Sequence, residues 1–112
     1  MSDSFGIISI TNENFSSEIE HSDKPVLIDF YADWCGPCRM VSSMLNDLSA
    51  KFIDKLKVVK IDTDQVYELS SKYNVTALPT LILLNNGQEQ KRFIGNVSKN
   101  QIELEVNNLL LN

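Results

Sequence analysis

Both cysteines of this 112-residue chain lie in the stretch Trp-Cys-Gly-Pro-Cys at positions 34–38. The stretch directly follows residues 25–31, an apolar run that predicts a strand buried on both faces. A helix that begins at the cysteines would bring their sulfurs within bonding distance, and its unpaired amide groups would favour a thiolate at its start. The pattern therefore predicts a strand, a turn and a helix, with a reactive dithiol where the helix begins.

A dithiol with this spacing favours thiol–disulfide exchange, in which Cys35 is the attacking thiolate and Cys38 the resolving thiol. Three alternatives are weaker. A zinc site needs about four ligands, and besides the cysteines the chain offers one histidine, His21, so we expect no metal. A structural cross-link over so short a loop would remove little denatured-state entropy. Two inert, buried thiols would leave the intervening Gly-Pro pair and the neighbouring tryptophan unexplained.

Length and composition predict one compact globular domain over residues 1–112. A net charge of −5 leaves no basic stripe, which argues against nucleic acid and anionic membrane surfaces as partners. The start of the chain lacks the basic end and apolar stretch of a secretory signal, and no run approaches membrane-spanning length. We therefore expect a cytoplasmic protein, although an organellar or exported form whose targeting segment had been removed would look the same.

Patterns typical of strands and of helices alternate along the first two thirds of the chain. Short apolar runs predict strands at 6–10, 25–31 and 57–61, and a helix is predicted after each of them. Farther along, residues 80–84 and 88–94 flank Asn85-Asn86-Gly87, which favours a tight hairpin. A capping box then begins a closing helix. This order predicts a mixed sheet with helices on both faces.

Helical spacing of apolar residues predicts which helix faces point inward. In the long helix after the cysteines, the residues expected to face the core are Met40, Val41, Met44, Leu45, Leu48 and Phe52. Asp47 and Lys51 should face solvent. In the other helices the expected inward residues are Phe15, Ile19, Leu69, Tyr73, Ile102, Val106, Leu109 and Leu110.

These features together resemble the thioredoxin family, from about residue 5 to residue 110. The resemblance is carried by the signature at 29–38, by Lys60-Ile61-Asp62, by Leu78-Pro79-Thr80, and by Asn86-Gly87 with Gly95, each at the separation that the family shows. It implies an α/β protein with the thioredoxin fold, in which a central mixed five-stranded sheet is flanked by four helices.

The resemblance also implies a protein disulfide reductase. Its partners would be disulfide-bearing client proteins and a flavoprotein of the thioredoxin reductase type that draws on NADPH. It would bind no cofactor and would work through a redox-active Cys35–Cys38 disulfide. We expect a monomer.

The resemblance assigns roles to the residues around the dithiol. Cys35 corresponds to the exposed nucleophile and Cys38 to the more buried thiol. Asp29 interrupts the apolar run, so loss of hydration should raise its pKa, and the matching acid of the family lies behind the resolving cysteine. Asp29 would accept the proton of Cys38 through a water, with Lys60 as its charged partner. A purely structural buried ion pair is the alternative.

The remaining site residues would bind the client. By resemblance, the Leu78–Pro79 peptide bond is cis and faces the sulfurs, although from the sequence alone a trans bond is commoner. The backbone of Leu78 would then pair with an extended client segment. An apolar patch around Cys35 would consist of Trp34, Gly36, Pro37, Leu78, Ile94 and Gly95. Ordinary core packing is the alternative for Ile94 and Trp34. Ala77 replaces the usual glycine or serine, which bears on client choice.

Two other functions fit the same scaffold. A disulfide oxidase or isomerase uses the same attack, but those relatives often have histidine where this chain has Pro37. Without that histidine the thiolate has one fewer cationic donor, which makes the disulfide harder to reduce. A non-catalytic binding subunit would need only the apolar patch around Trp34.

Overall fold

The computed structural model describes residues 6–111, which are organised around a five-stranded mixed sheet with the strand order β1-β3-β2-β4-β5. The strands are β1 Ile8–Ser9, β2 Val26–Tyr31, β3 Lys57–Asp62, β4 Thr80–Asn85 and β5 Gln88–Ile94. Strand β3 is parallel to both β1 and β2, whereas β4 is antiparallel to both β2 and β5. The predicted mixed sheet is therefore confirmed.

The first strand is shorter than predicted. The sequence pattern indicated residues 6–10, but only Ile8–Ser9 pair with β3 as a strand. Gly6 adopts a φ of +68°, a turn conformation that glycine tolerates and that does not continue a strand. Ile10 still donates its N–H to the carbonyl of Lys60 at 2.9 Å, so the chain stays beside β3 beyond the end of β1.

The hairpin between β4 and β5 is confirmed. Asn86 and Gly87 have positive φ angles of 53° and 78°, the conformation that Asn-Gly was expected to supply in a two-residue turn. The antiparallel register runs from Thr80 opposite Ile94 to Asn85 opposite Gln88. The hairpin thus brings the end of β5 back beside the start of β4.

In the described part of the chain, four helical segments flank the sheet, as predicted. They are a π-helical turn at Ser16–Glu20, α1 at Gly36–Lys51, α2 at Tyr67–Lys72 and α3 at Lys99–Leu111. Before the first of them, Thr11 and Asn14 cap each other: the Thr11 N–H donates to Asn14 Oδ1 at 2.8 Å, and the Asn14 N–H donates to Thr11 Oγ1 at 3.3 Å. Of the helices within residues 6–111, none combines the length and apolar character needed to cross a membrane.

The core forms two layers, one on each side of the sheet. Successive residues of a strand point to opposite faces, so Leu27 packs with Leu45 of α1 and Ile102 of α3, whereas Ile28 packs with Ile19 and Leu69 on the other side. Asp29 therefore shares the face of Leu27, beneath α1. By the same alternation Lys60 shares the face of Val58, which also packs in the α1 layer.

The inward face of α1 was predicted correctly except at Met40. Val41, Leu45 and Leu48 are buried and Met44 packs against the core, but the Met40 side chain is 74% exposed. An α-helix turns by about 100° per residue. The side chain of Met40 therefore points about 100° away from that of Val41 around the helix axis. It shares with Pro37 a helix face that the sheet does not cover.

The two sides of α1 should differ in their contribution to stability. We expect Leu48→Ala to lower the free energy of unfolding by about 2–5 kcal/mol, because it empties a fully buried position. Met40→Ala, on the same helix, should change it by less than about 0.5 kcal/mol. Urea unfolding of both variants measures the difference, and equal losses would contradict the assigned orientation of the helix.

Candidate active site

The two cysteines lie where the buried central strand gives way to α1. Cys35 is the residue that precedes the first turn of α1, and its carbonyl accepts a hydrogen bond from the Cys38 N–H at 3.2 Å. Gly36 and Pro37 occupy the start of the helix, where the missing N–H of proline costs no intrahelical bond. The two cysteines are joined by a disulfide with their Cα atoms 5.4 Å apart. The predicted redox pair is therefore formed.

The expected exposure of Cys35 is corrected by the structure. In this disulfide form both cysteines are buried, Cys35 with 6% of its surface exposed and Cys38 with 4%. The reason is the turn before the helix, in which the Cys35 N–H donates to the carbonyl of Ala32 at 3.1 Å and draws the residue against the end of β2. Exposure alone therefore does not distinguish the nucleophile from the resolving thiol here.

Asp29 lies behind the disulfide with little access to solvent. Only 3% of the residue is exposed, and its Oδ1 has no hydrogen-bond partner among the described residues. Loss of hydration raises the pKa of this carboxyl to about 7, against the opposing effect of the positive charge on Lys60. The predicted direction of the pKa shift is confirmed, and the carboxyl changes its protonation near neutral pH.

A polar pocket of about 170 Å³ connects Asp29 to the sulfurs; it is lined by Asp29, Lys60, Cys35, Cys38, Arg39 and Ser42, together with Tyr31, Ala32 and Asp33. Asp29 and Lys60 are direct neighbours across β2 and β3. No ion pair joins their side chains in the described part of the chain, and Lys60 Nζ lies 5.9 Å from the ring centroid of Tyr31. The alternative of a structural buried ion pair therefore has no direct contact to support it.

Beside the disulfide is an open groove of about 490 Å³, which we call the docking groove. The residues that line it are Gly36, Pro37, Met40, Leu78, Pro79, Gly95 and Asn96. None of these carries a charge. The groove contains five of the residues predicted to contact a client: Gly36, Pro37, Leu78, Pro79 and Gly95.

The loop on the far side of the docking groove has the conformation that the resemblance implied. The Leu78–Pro79 peptide bond is cis. The carbonyl of Pro79 accepts a hydrogen bond from the Gly95 N–H at 2.9 Å, and Gly95 has a φ of +78° that favours glycine. Ile94, just before Gly95, is 58% exposed, so the alternative of core packing is wrong for this residue.

Trp34 is also outside the core. The residue is 71% exposed, and its indole Nε1–H donates to Asp64 Oδ2 at 2.9 Å. Nothing in the sequence pattern pointed to Asp64, because the contact spans 30 positions along the chain.

Met40 was missed for a different reason. Its spacing from Pro37 was a signal that both lie on one helix face, but the apolar stripe was assigned to the core as a whole.

Within residues 6–111, no three His, Cys, Asp or Glu side chains lie close enough together to hold a metal ion.

Because Asp29 is buried and its Oδ1 has no hydrogen-bond partner within residues 6–111, it should lower stability at neutral pH. In the folded protein the Asp29 carboxyl keeps its proton up to a pKa of about 7, whereas its ordinary pKa is 3.8. The folded state therefore binds more protons between these values, and stability falls as the pH rises through them. Above pH 7 the raised pKa of Asp29 lowers the free energy of unfolding by roughly 4 kcal/mol. We expect Asp29→Asn to be more stable than the wild type at pH 8, with the difference vanishing near pH 4.

Thermal or urea unfolding across this pH range measures the effect. Asp23→Asn, which removes an exposed carboxylate before β2, is the matched control and should be neutral. An Asp29→Asn difference that did not depend on pH would contradict the raised pKa.

Comparison with known proteins agrees with this geometry. A protein-family model described as Thioredoxin matches residues 6–108. Thioredoxin from Alicyclobacillus acidocaldarius is 39% identical over 103 residues, which make up 92% of this chain and 97% of that protein. Thioredoxin from Rickettsia bellii is 37% identical over 99 residues, or 88% of this chain and 94% of that protein.

The chain also matches the protein named Thioredoxin Y, chloroplastic, from Oryza sativa, with 42% identity over 100 residues. The match covers 89% of this chain but 60% of that protein, so the chain spans little more than half the length of such relatives. The matched family, the relatives and the mixed five-stranded sheet with four helices agree, and the chain belongs to the thioredoxin family.

Proposed function

We propose that this chain is a protein disulfide reductase that works by thiol–disulfide exchange through Cys35 and Cys38. The observation that carries the proposal is the Cys35–Cys38 disulfide at the start of α1, directly beside an uncharged groove that is open to solvent. A bond that joins residues only three positions apart constrains little of the unfolded chain. Its chemical use therefore lies in opening and closing.

The reaction consists of two exchanges. In the first, the Cys35 thiolate attacks one sulfur of a client disulfide, which forms a Cys35–client mixed disulfide and releases the other client sulfur as a thiolate. In the second, the Cys38 thiolate attacks Cys35 Sγ, which re-forms the internal disulfide and releases the second client sulfur. The dithiol has then lost two electrons and the client disulfide has gained them.

Asp29 serves the second exchange as a proton acceptor. Cys38 must lose its proton before it attacks, and both residues line the same polar pocket. A volume of about 170 Å³ exceeds the share of a single water several times over, so one or more waters can relay the proton. With a pKa of about 7, the carboxyl is ready both to accept and to return a proton at neutral pH. The positive charge of Lys60 favours the carboxylate.

The docking groove suits clients of varied sequence. Leu78 lines the groove, where an extended client segment would pair with its main chain through hydrogen bonds. The flexible side chain of Met40 adds an adaptable apolar surface, because methionine repacks readily against different shapes. Such recognition tolerates many client side chains.

The reductase needs a source of two electrons. We propose an NADPH-dependent flavoprotein of the thioredoxin reductase type as that donor, and a reducing compartment such as the cytoplasm as the location. Family membership supports the donor. The need to return the Cys35–Cys38 pair to its dithiol form supports the location, because a reducing compartment keeps thiols reduced.

The cysteines test the proposal directly. In insulin reduction driven by dithiothreitol, Cys35→Ser should abolish catalysis because the attacking sulfur is missing. Cys38→Ser, reduced beforehand and freed of dithiothreitol, should stall after one attack on insulin and accumulate the mixed disulfide, which non-reducing electrophoresis detects. Full activity of the double serine variant in a partner-binding assay, with no insulin reduction by the wild type, would instead indicate a binding subunit. Net oxidation of reduced clients would indicate an oxidase.

The role of Asp29 can be measured in the second exchange. We expect Asp29→Asn to slow turnover by roughly tenfold or more at pH 7, since general base catalysis contributes about this much or more. The wild-type rate should rise with pH through about 7, the pKa of the carboxyl, and the variant should lack this step. Stopped-flow reduction of a disulfide substrate from pH 5 to pH 9 resolves the profile. Wild-type rates in Asp29→Asn, with Asp23→Asn as the control, would remove the proposed role.

A further inference from the structure

Trp34, the residue before Cys35, lines a further concavity, which we call the side pocket. It has a volume of about 290 Å³, and its lining includes Trp34, Asp64, Tyr67, Thr76, Ala77 and Leu78. Among residues 6–111, Leu78 is the one that lines both the side pocket and the docking groove. A client segment that pairs with the backbone of Leu78 therefore lies between the two, with the docking groove on one flank and the side pocket on the other.

Two large aromatic residues of the side pocket are exposed. Trp34 is 71% exposed and Tyr67, the first residue of α2, is 70% exposed. Aromatic rings left in solvent at the edge of a site offer contact area for a partner at a low entropic cost. The Trp34 ring is also held in place, since its Nε1–H donates to Asp64 Oδ2. This part of the surface is organised before any client arrives.

The two concavities differ in charge. Asp64 is the one charged residue that lines the side pocket in the part of the chain that the structure describes, whereas the docking groove has none. Only Oδ2 of Asp64 accepts the indole hydrogen bond. The cationic residues Arg39 and Lys60 line the polar pocket together with the cysteines, and neither lines the side pocket. The side pocket thus combines aromatic surface with a negative charge that no lining cation neutralises.

This combination is the chemistry that binds a guanidinium or ammonium group. A cation gains from the carboxylate through charge-assisted hydrogen bonds and from aromatic rings through their quadrupoles. We propose that the side pocket binds an Arg or Lys side chain of the client, carried a few residues from the attacked cysteine on the segment that pairs with Leu78. The inference rests on the proposed reductase function and names a preferred substrate class for it: disulfides flanked by a basic residue.

The test uses short synthetic peptide disulfides that differ only at the flanking position, which is Arg, Gln or Glu. The protein is reduced beforehand and mixed with each peptide in a stopped-flow instrument, so that no electron donor is needed. Trp34 is the only tryptophan of the chain and lies next to Cys35, so its fluorescence reports the exchange without a label. We expect the Arg peptide to react roughly five- to tenfold faster than the Glu peptide at low ionic strength, with a smaller ratio at high salt.

Asp64→Asn removes the charge but keeps an oxygen that can accept the Trp34 hydrogen bond, and it should bring the Arg-to-Glu ratio close to one. Asp23→Asn makes the same change of net charge at an exposed position before β2, the strand whose other end leads to the site, and should leave the ratio unchanged. Tyr67→Ala should slow the Arg peptide more than the Gln peptide.

The outcomes separate the two proposals. If none of the peptides oxidises the reduced protein, the reductase function itself is wrong. If all of them react at one rate, or if Asp64→Asn and Asp23→Asn lower the ratio equally, exchange stands and the side pocket has no role in client choice.

Discussion

The position of β2 at the centre of the sheet is the constraint on which the site depends. The strand pairs with β3 on one side and β4 on the other, so its register is set twice and a slip would turn Asp29 into the opposite core layer. That register places the carboxyl beneath α1 and next to Lys60. At the end of the strand the Ala32 carbonyl accepts a hydrogen bond from the Cys35 N–H, and the chain enters α1 with Cys35 just before its first turn and Cys38 within it. One strand therefore positions both the sulfurs and the acid behind them.

The buried acid opposes stability, which makes its presence informative. Among the residues that the structure describes, the Asp29 carboxyl finds no hydrogen-bond partner for Oδ1 and forms no ion pair with Lys60, while burial disfavours its charged form. An apolar residue of similar size would pack in the same layer as Leu27 without that cost. A pKa near 7 is of no use to packing, whereas proton transfer to and from a thiol at neutral pH requires it. The same desolvation that weakens the fold is thus what makes the group suitable for the exchange.

The local patterns of the sequence predicted most of the fold. The apolar run of β2, the Asn86-Gly87 turn and the start of α1 at the cysteines each depend on neighbouring residues, and all three are confirmed. The failures concern tertiary context. The apolar stripe of α1 is wider than the part of the helix that the sheet covers, and Met40 lies at its uncovered edge. The spacing of apolar residues alone could not show that this edge is exposed to solvent. The contact of Trp34 with Asp64 joins residues from separate elements, and the burial of Cys35 depends on how the turn after β2 packs. The cis bond at Leu78–Pro79 followed only from the family resemblance.

In the proposed function, client recognition at the surface around the disulfide is shared between main-chain and side-chain contacts. The proposed pairing with the backbone of Leu78 would not depend on the client sequence, and the docking groove offers only uncharged contacts, so neither would discriminate strongly among clients. Discrimination requires a group that favours one client and disfavours another. Asp64 meets that requirement, because a carboxylate attracts a basic flank and repels an acidic one. Ala77 lines the same pocket, where its methyl group occupies space that glycine would leave empty. Broad chemistry at the sulfurs and a bias in the side pocket are therefore compatible, since they act on different parts of one client segment.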